Sequence, residues 1–115
     1  MIKLVIIIIL TLFILFNFLF KKKNLKKIQL INFNSSWCYW SKKIAPLWDQ
    51  LKSEMKFDNV DIIDIKCDYK INKKLCDKYD IYEYPTIKLI NEDKVLEYNG
   101  DLNIDNIILF IKKNI

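Results

Sequence analysis

The chain opens with an apolar block, Leu4 to Phe20, interrupted only by Thr11 and Asn17. Apolar residues surround its whole circumference, so it is not a surface helix of a soluble domain. Seventeen helical residues reach ~25 Å, the short end of what crosses a bilayer. A cleaved signal peptide would have a shorter apolar core and small residues before the cut. Here Asn17-Phe18-Leu19-Phe20 runs straight into lysines, so the pattern predicts an uncleaved anchor over residues 1–20. Beyond residue 27 the pattern changes to short elements. Ile28 to Asn34 reads as a buried strand. Trp40, Ile44, Leu47, Trp48, Leu51 and Met55 recur at helical spacing. Val60 to Lys66 is a nearly continuous apolar strand, the pattern of a parallel pairing with both faces covered. Ile71 to Tyr79 reads as a short helix. Thr86 to Asn91 and Lys94 to Tyr98 read as a hairpin across a tight polar turn. Asn103 is placed to cap a last helix with Ile104, Ile107, Ile108, Ile111 and Ile115 along its inner stripe. Gly100, the single glycine, falls at the end of the hairpin, where a positive φ is expected. The element order is β-α-β-α-β-β-α behind one membrane helix.

Charge alters this picture in one respect. The net charge of +5 over 115 residues suggests a basic protein. Yet Lys3, Lys21, Lys22, Lys23, Lys26 and Lys27 all precede residue 28, and the remainder carries thirteen lysines against fourteen acidic residues. The basicity therefore belongs to the membrane flank, residues 21–27, a short linker that would favour anionic headgroups. It does not form a nucleic-acid face. The chain has neither His nor Arg. Without His there is no imidazole base and no ordinary His-based metal site. The length after the linker suits one small domain.

The candidate chemistry lies between the first strand and the first helix of that domain. Cys38 falls at the helix start, where free N–H groups and the dipole favour an anion and so a thiolate. Trp37 and Trp40 would shield the sulfur and oppose ionisation, while Lys42 and Lys43 would favour it. The sign of the net effect stays open at this level. The segment Trp37-Cys38-Tyr39-Trp40-Ser41-Lys42-Lys43-Ile44-Ala45-Pro46-Leu47-Trp48 resembles the active-site helix of protein disulfide isomerase domains, within the thioredoxin superfamily. A second stretch, Cys76-Asp77-Lys78-Tyr79 through Tyr84-Pro85-Thr86, is similar to the same domains, and Tyr98-Asn99-Gly100 with the last helix extends the match over residues 28–115. The resemblance implies a thioredoxin-like α/β fold. It would be a minimal version, because an extra leading strand and helix have no residues here.

The family usually places a second cysteine where this chain has Ser41. A second thiol resolves the mixed disulfide by attacking the first sulfur, and a serine cannot. The resemblance therefore implies a one-thiol site, with Cys38 the nucleophile and Ser41 a hydroxyl able to hydrogen-bond the thiolate. Asn32 stands where the family usually buries an acid that deprotonates the second cysteine, and Asn cannot shuttle that proton. Leu102 replaces an arginine often found there. Tyr84-Pro85-Thr86 is the other half of the site by resemblance. Its proline bond would be cis, and the backbone before it would pair with an extended substrate. Trp37, Tyr39, Trp40 and Tyr84 would form an aromatic, peptide-accepting surface, unless Trp40 turns into the core as its helical spacing permits.

Several isomerase domains bridge two cysteines placed like Cys67 and Cys76. The same pair can equally be two free thiols, since a bridge needs an oxidising compartment. The compartment is where the signs conflict. Lysines after the apolar block put the domain in the cytosol by the positive-inside rule, whereas isomerase kinship points to the lumen. A virus carrying its own thiol-oxidation system would reconcile the two. Asn34-Ser35-Ser36 is a glycosylation sequon, but a glycan there would obstruct the thiol, so it reads as chance. The expected function is thiol–disulfide exchange or isomerisation on protein thiols and disulfides, with glutathione as the small-thiol partner and no cofactor. The competing function is a binding module that retains clients through Cys38 and the aromatic groove. A monothiol glutaredoxin would need Cys-Gly-Phe-Ser and Thr-Val-Pro, and neither is present.

Overall fold

A computed structural model describes residues 1–20, 28–56 and 59–115. The basic linker, residues 21–27, lies outside the described residues. The first helix, α1, spans Ile2–Phe20. It is long and apolar enough to cross a membrane. Its two uncharged polar side chains turn back on their own backbone, Thr11 Oγ1 donating to the Ile8 carbonyl and Asn17 Nδ2 to the Phe13 carbonyl. That arrangement satisfies both groups inside an apolar helix.

The remaining elements follow the order read from the pattern. They are β1 (Ile28–Asn34), α2 (Tyr39–Glu54), β2 (Val60–Lys66), a 3₁₀ turn (Lys70–Asn72), α3 (Lys73–Lys78), β3 (Thr86–Asn91), β4 (Lys94–Glu97) and α4 (Ile104–Asn114). The strands form one mixed sheet in the order β2-β1-β3-β4. β1 pairs parallel with β2, Ile28 opposite Val60, and antiparallel with β3, Phe33 opposite Thr86. β3 and β4 close the antiparallel hairpin. The fold is thioredoxin-like, as the resemblance implied.

Alternation along β1 divides the core. Leu30 packs with Ile44, Trp48, Leu51, Ile107 and Ile111 on the side of α2 and α4. Ile31 and Phe33 pack with Cys76 and Ile90 on the side of α3. Trp48 is the largest side chain in the first cluster, only 2% exposed. Its indole N–H donates to the Ile63 carbonyl at 3.1 Å, which pins α2 to β2. Asn103 Oδ1 accepts from the Asn106 N–H at 2.9 Å and caps α4.

Three local expectations change. The predicted helix 71–79 starts as the 3₁₀ turn because Asn72 Nδ2 donates to the Lys66 carbonyl, tying the chain back to β2 and leaving Ile71 almost wholly exposed. Gly100 does not adopt a positive φ; in the hairpin that conformation belongs to Glu92, at 57°. Gly100 is needed for space, since a Cβ there would come within 2.6 Å of the Tyr98 hydroxyl. Ile115 lies past the end of α4 and is exposed rather than on its inner stripe. Of the two placements open to Trp40, the solvent-facing one is adopted: it is 57% exposed.

Candidate functional site: the Cys38 thiol

Cys38 is the N-cap residue of α2, in extended backbone geometry, and its carbonyl accepts the Lys42 N–H at 3.1 Å. The half-buried sulfur therefore sits over the first turn, where helix N–H groups have no intrahelical partner. Its pKa is lowered below the ordinary thiol value, first by the Ser41 backbone N–H, with the Ser41 hydroxyl and the Trp40 N–H adding to that against the opposing effect of burial. Lys42 and Lys43 do not figure among the causes. The sign left open by the sequence is set by donors inside the first turn.

Ser41 is buried, 3% exposed. Its Oγ accepts the Ser35 backbone N–H at 3.2 Å. With that oxygen engaged by a donor, the hydroxyl proton is free for the Cys38 sulfur. A hydroxyl both donates and accepts, so Ser41 serves both partners at once.

Across from the sulfur stands the loop before β3. The Tyr84–Pro85 bond is cis. The Tyr84 carbonyl accepts from the Cys38 thiol at 4.0 Å, the long limit for sulfur. Tyr84 and Pro85 are half-buried beside it. The Thr86 hydroxyl turns the other way and donates to the Glu83 carbonyl at 2.7 Å, so it closes the loop rather than facing the thiol. The aromatic residues group as two pairs. Trp37 meets Tyr84 edge-on at 6.2 Å, and Tyr39 meets Trp40 at 5.4 Å. Lys43 Nζ lies over both rings of the second pair, 5.4 and 5.3 Å from their centroids. Beside Trp40 a cleft of about 280 Å³ is lined by Lys43, Ile44, Leu47 and Leu102.

Beneath the first half of α2 lies a polar cluster. Asn32 and Asn34 are buried on the α2 side of β1. Asn34 Nδ2 donates to Asp64 Oδ1 at 2.7 Å, and Asn32 Nδ2 approaches the same oxygen at 3.4 Å. Lys66 pairs with Asp64 at 2.9 Å and donates to Asn34 Oδ1. A carboxylate thus stands next to Asn32, on the neighbouring strand and already paired with a cation. Asn34 is 0% exposed with its amide nitrogen engaged, which closes the sequon to a glycan in the folded domain.

Cys67 and Cys76 are joined in a disulfide, with Cα atoms 5.9 Å apart. It links the end of β2 to α3. Cys38 is the free cysteine. Among the described residues no group of three or more His, Cys, Asp or Glu side chains is arranged to hold a metal ion. The site residues missed by sequence reasoning are Ser35, Ser36, Asp64, Lys66 and Asp68. Each acts through hydrogen bonds across the sheet or between loops, and nothing local marks them.

A lone thiol at a helix start, set against a cis-proline loop at one end of a four-stranded mixed sheet, defines a thioredoxin-fold thiol protein. The chain belongs to the thioredoxin family: the family model described as Thioredoxin matches residues 15–113. It is 37% identical over 92 residues to a protein disulfide-isomerase of Ricinus communis, covering 79% of this chain and 18% of that protein. It is 32% identical over 91 residues to protein disulfide-isomerase TMX3 of Homo sapiens, covering 79% and 20%. The chain thus spans about a fifth of the length of these two relatives. The crystal structure of human ERp44 superposes with a TM-score of 0.68 at 25% identity, covering 76% of this chain and 27% of that one.

Proposed function

We propose that this chain is a membrane-anchored thiol–disulfide exchange protein that works through one thiol, Cys38, on protein substrates. The observation that carries the reading is the buried Ser41 hydroxyl, held by the Ser35 N–H and directed at a thiol of lowered pKa. A thiolate of lowered pKa attacks disulfides at neutral pH and is also a good leaving group. Attack on a client disulfide forms a Cys38–client bond and releases the other client sulfur as a thiolate. Ser41 cannot displace the client, so a second client thiol or glutathione must. An internal client thiol gives isomerisation; glutathione attacking the Cys38 sulfur frees the client as a dithiol and leaves a Cys38–glutathione disulfide, which a second glutathione clears as oxidised glutathione. The extended client strand would pair with the backbone at Tyr84. Kinship with protein disulfide-isomerases supports this chemistry.

The test is refolding of a protein with scrambled disulfides in a glutathione buffer. Sub-stoichiometric full-length chain should give several turnovers per Cys38, and Cys38→Ser should give none. Stoichiometric adducts without turnover would favour the second reading, a client-retention module. The exposed Trp40 and Leu102 beside their cleft are the specific feature that supports that reading.

Under this proposal α1 anchors the domain as a single span. Protein lacking residues 1–27 should be soluble and folded, while full-length protein should stay with membranes through a carbonate wash. Release of the full-length chain by that wash would contradict the anchor.

A further inference from the structure

The loop that carries Cys38 is held from outside the active-site helix. Asn34 ends β1, and its carbonyl accepts the Cys67 N–H at 2.7 Å. Two residues on, the Ser36 N–H donates to Asp68 Oδ1 at 3.0 Å, and the Ser36 hydroxyl donates to Asp68 Oδ2. Both carboxylate oxygens of Asp68 are therefore engaged by one residue, a charge-assisted arrangement stronger than neutral hydrogen bonds. Between these two ties stands Ser35, whose N–H holds the Ser41 hydroxyl oxygen and whose carbonyl accepts the Cys38 N–H at 3.4 Å. The far side of the tie is braced as well. Cys67 is bonded to Cys76 on α3, and the Cys76 carbonyl accepts the Ile81 N–H at 3.1 Å on the chain leading to Tyr84.

We propose that Asp68, braced by the Cys67–Cys76 disulfide, is a positioning residue that clasps Ser36 and so keeps Ser35 and Ser41 aligned to stabilise the Cys38 thiolate. This deepens the one-thiol reading and rests on it. The clasp acts through geometry, and that gives it a signature opposite to plain electrostatics. Through charge alone an aspartate opposes ionisation of a thiol, so removing it would raise the thiolate fraction or leave it unchanged. As a clasp, its removal frees the loop, lets the Ser41 hydroxyl turn away and lowers the thiolate fraction. The ionisable side chains on the elements that carry and face the thiol are Tyr39, Lys42 and Lys43 in the first turns of α2 and Tyr84 on the facing loop, with Lys66 next to Asp68; none of them changes in the variants below.

The experiment is the pH profile of Cys38 alkylation by iodoacetamide on the full chain in detergent. The variants are Asp68→Ala, Asp68→Asn and Ser36→Ala, with Ser41→Ala as the reference for complete loss of the hydroxyl. Asp68→Ala should move the profile to higher pH and lower the neutral-pH rate roughly threefold, half a pKa unit in thiolate population. Asp68→Asn removes the charge but keeps an acceptor oxygen, and should stay near wild type. Ser36→Ala keeps the backbone tie and should fall between wild type and Asp68→Ala. A faster rate in both Asp68 variants, or no change in either, would overturn the clasp. Wild-type protein that fails to exchange with a disulfide-bonded peptide would instead contradict the one-thiol function, and the alkylation profiles would still decide the clasp.

Discussion

Replacing Ser41 with cysteine is expected to shorten the lifetime of Cys38–client adducts on the order of 100-fold at millimolar external thiol, because an intramolecular attack replaces a bimolecular one. Both side chains lie in the first turn of α2, and the Ser41 oxygen already lies within hydrogen-bonding reach of the Cys38 sulfur. The gain should stop short of a two-cysteine site. Position 41 is buried, and burial raises a thiol's pKa, so the new thiol needs a proton acceptor. Asn32 offers none. Adding Asn32→Asp to Ser41→Cys should speed release further. The new carboxyl would stand beside Asp64, whose charge raises its proton affinity and makes it a better base at neutral pH. An unchanged adduct lifetime in Ser41→Cys would mean that Cys38 is not the sulfur that holds the client.

The second large effect is on stability. Trp48→Ala should cost about 3–5 kcal/mol, the range for truncating a fully buried aromatic residue. That is a large share of the ~5–15 kcal/mol that holds a typical domain together. The loss has two parts. The indole fills the core between Leu30, Ile44 and Leu51, and its N–H satisfies the Ile63 carbonyl. Trp48→Phe keeps most of the packing but leaves that carbonyl unpaired, and should cost about 1–3 kcal/mol. Urea unfolding of the two variants with an unchanged m-value measures both. Equal costs would mean that the hydrogen bond, rather than the packing, supplies nearly all of the effect.

The element order was legible because β1, β2 and β3 are compact runs rich in apolar residues and α2 and α4 each keep one apolar stripe. β1, α2, β2 and β3 were delimited by where those runs stop. The misjudged details are those that periodicity does not carry. The start of α3 was set by one side chain, Asn72, reaching the Lys66 carbonyl. Gly100 was read as a backbone conformation, whereas Tyr98 is the reason for it: its ring folds over the glycine and its hydroxyl donates to the Asp101 carbonyl.

The site was legible in two separate pieces, the Cys38 helix and the Tyr84-Pro85 loop, each by resemblance. That they meet follows from β1 lying between β2 and β3, which puts the end of β1 beside the start of β3. What holds the thiol could not be read. Asp68 follows Cys67 in sequence and looks like a solvated charge, and only the register of β1 on β2 brings it to Ser36. Asp64 is likewise an acid on an apolar strand until Asn32 is placed opposite it.

The central claim is that Cys38 exchanges alone. It is tested most directly by a single round of exchange with a peptide disulfide in excess over the full-length chain, no added thiol, an acid quench and intact-mass analysis. The account predicts that the chain gains one peptide half, mapped to Cys38, that the other half appears as free thiol, and that the adduct persists until glutathione is added. Release of both halves as free thiols, with Cys38 recovered in a bond to Cys67 or Cys76, would contradict it, because the Cys67–Cys76 bond would then have to be open and one of those sulfurs would be the resolving thiol.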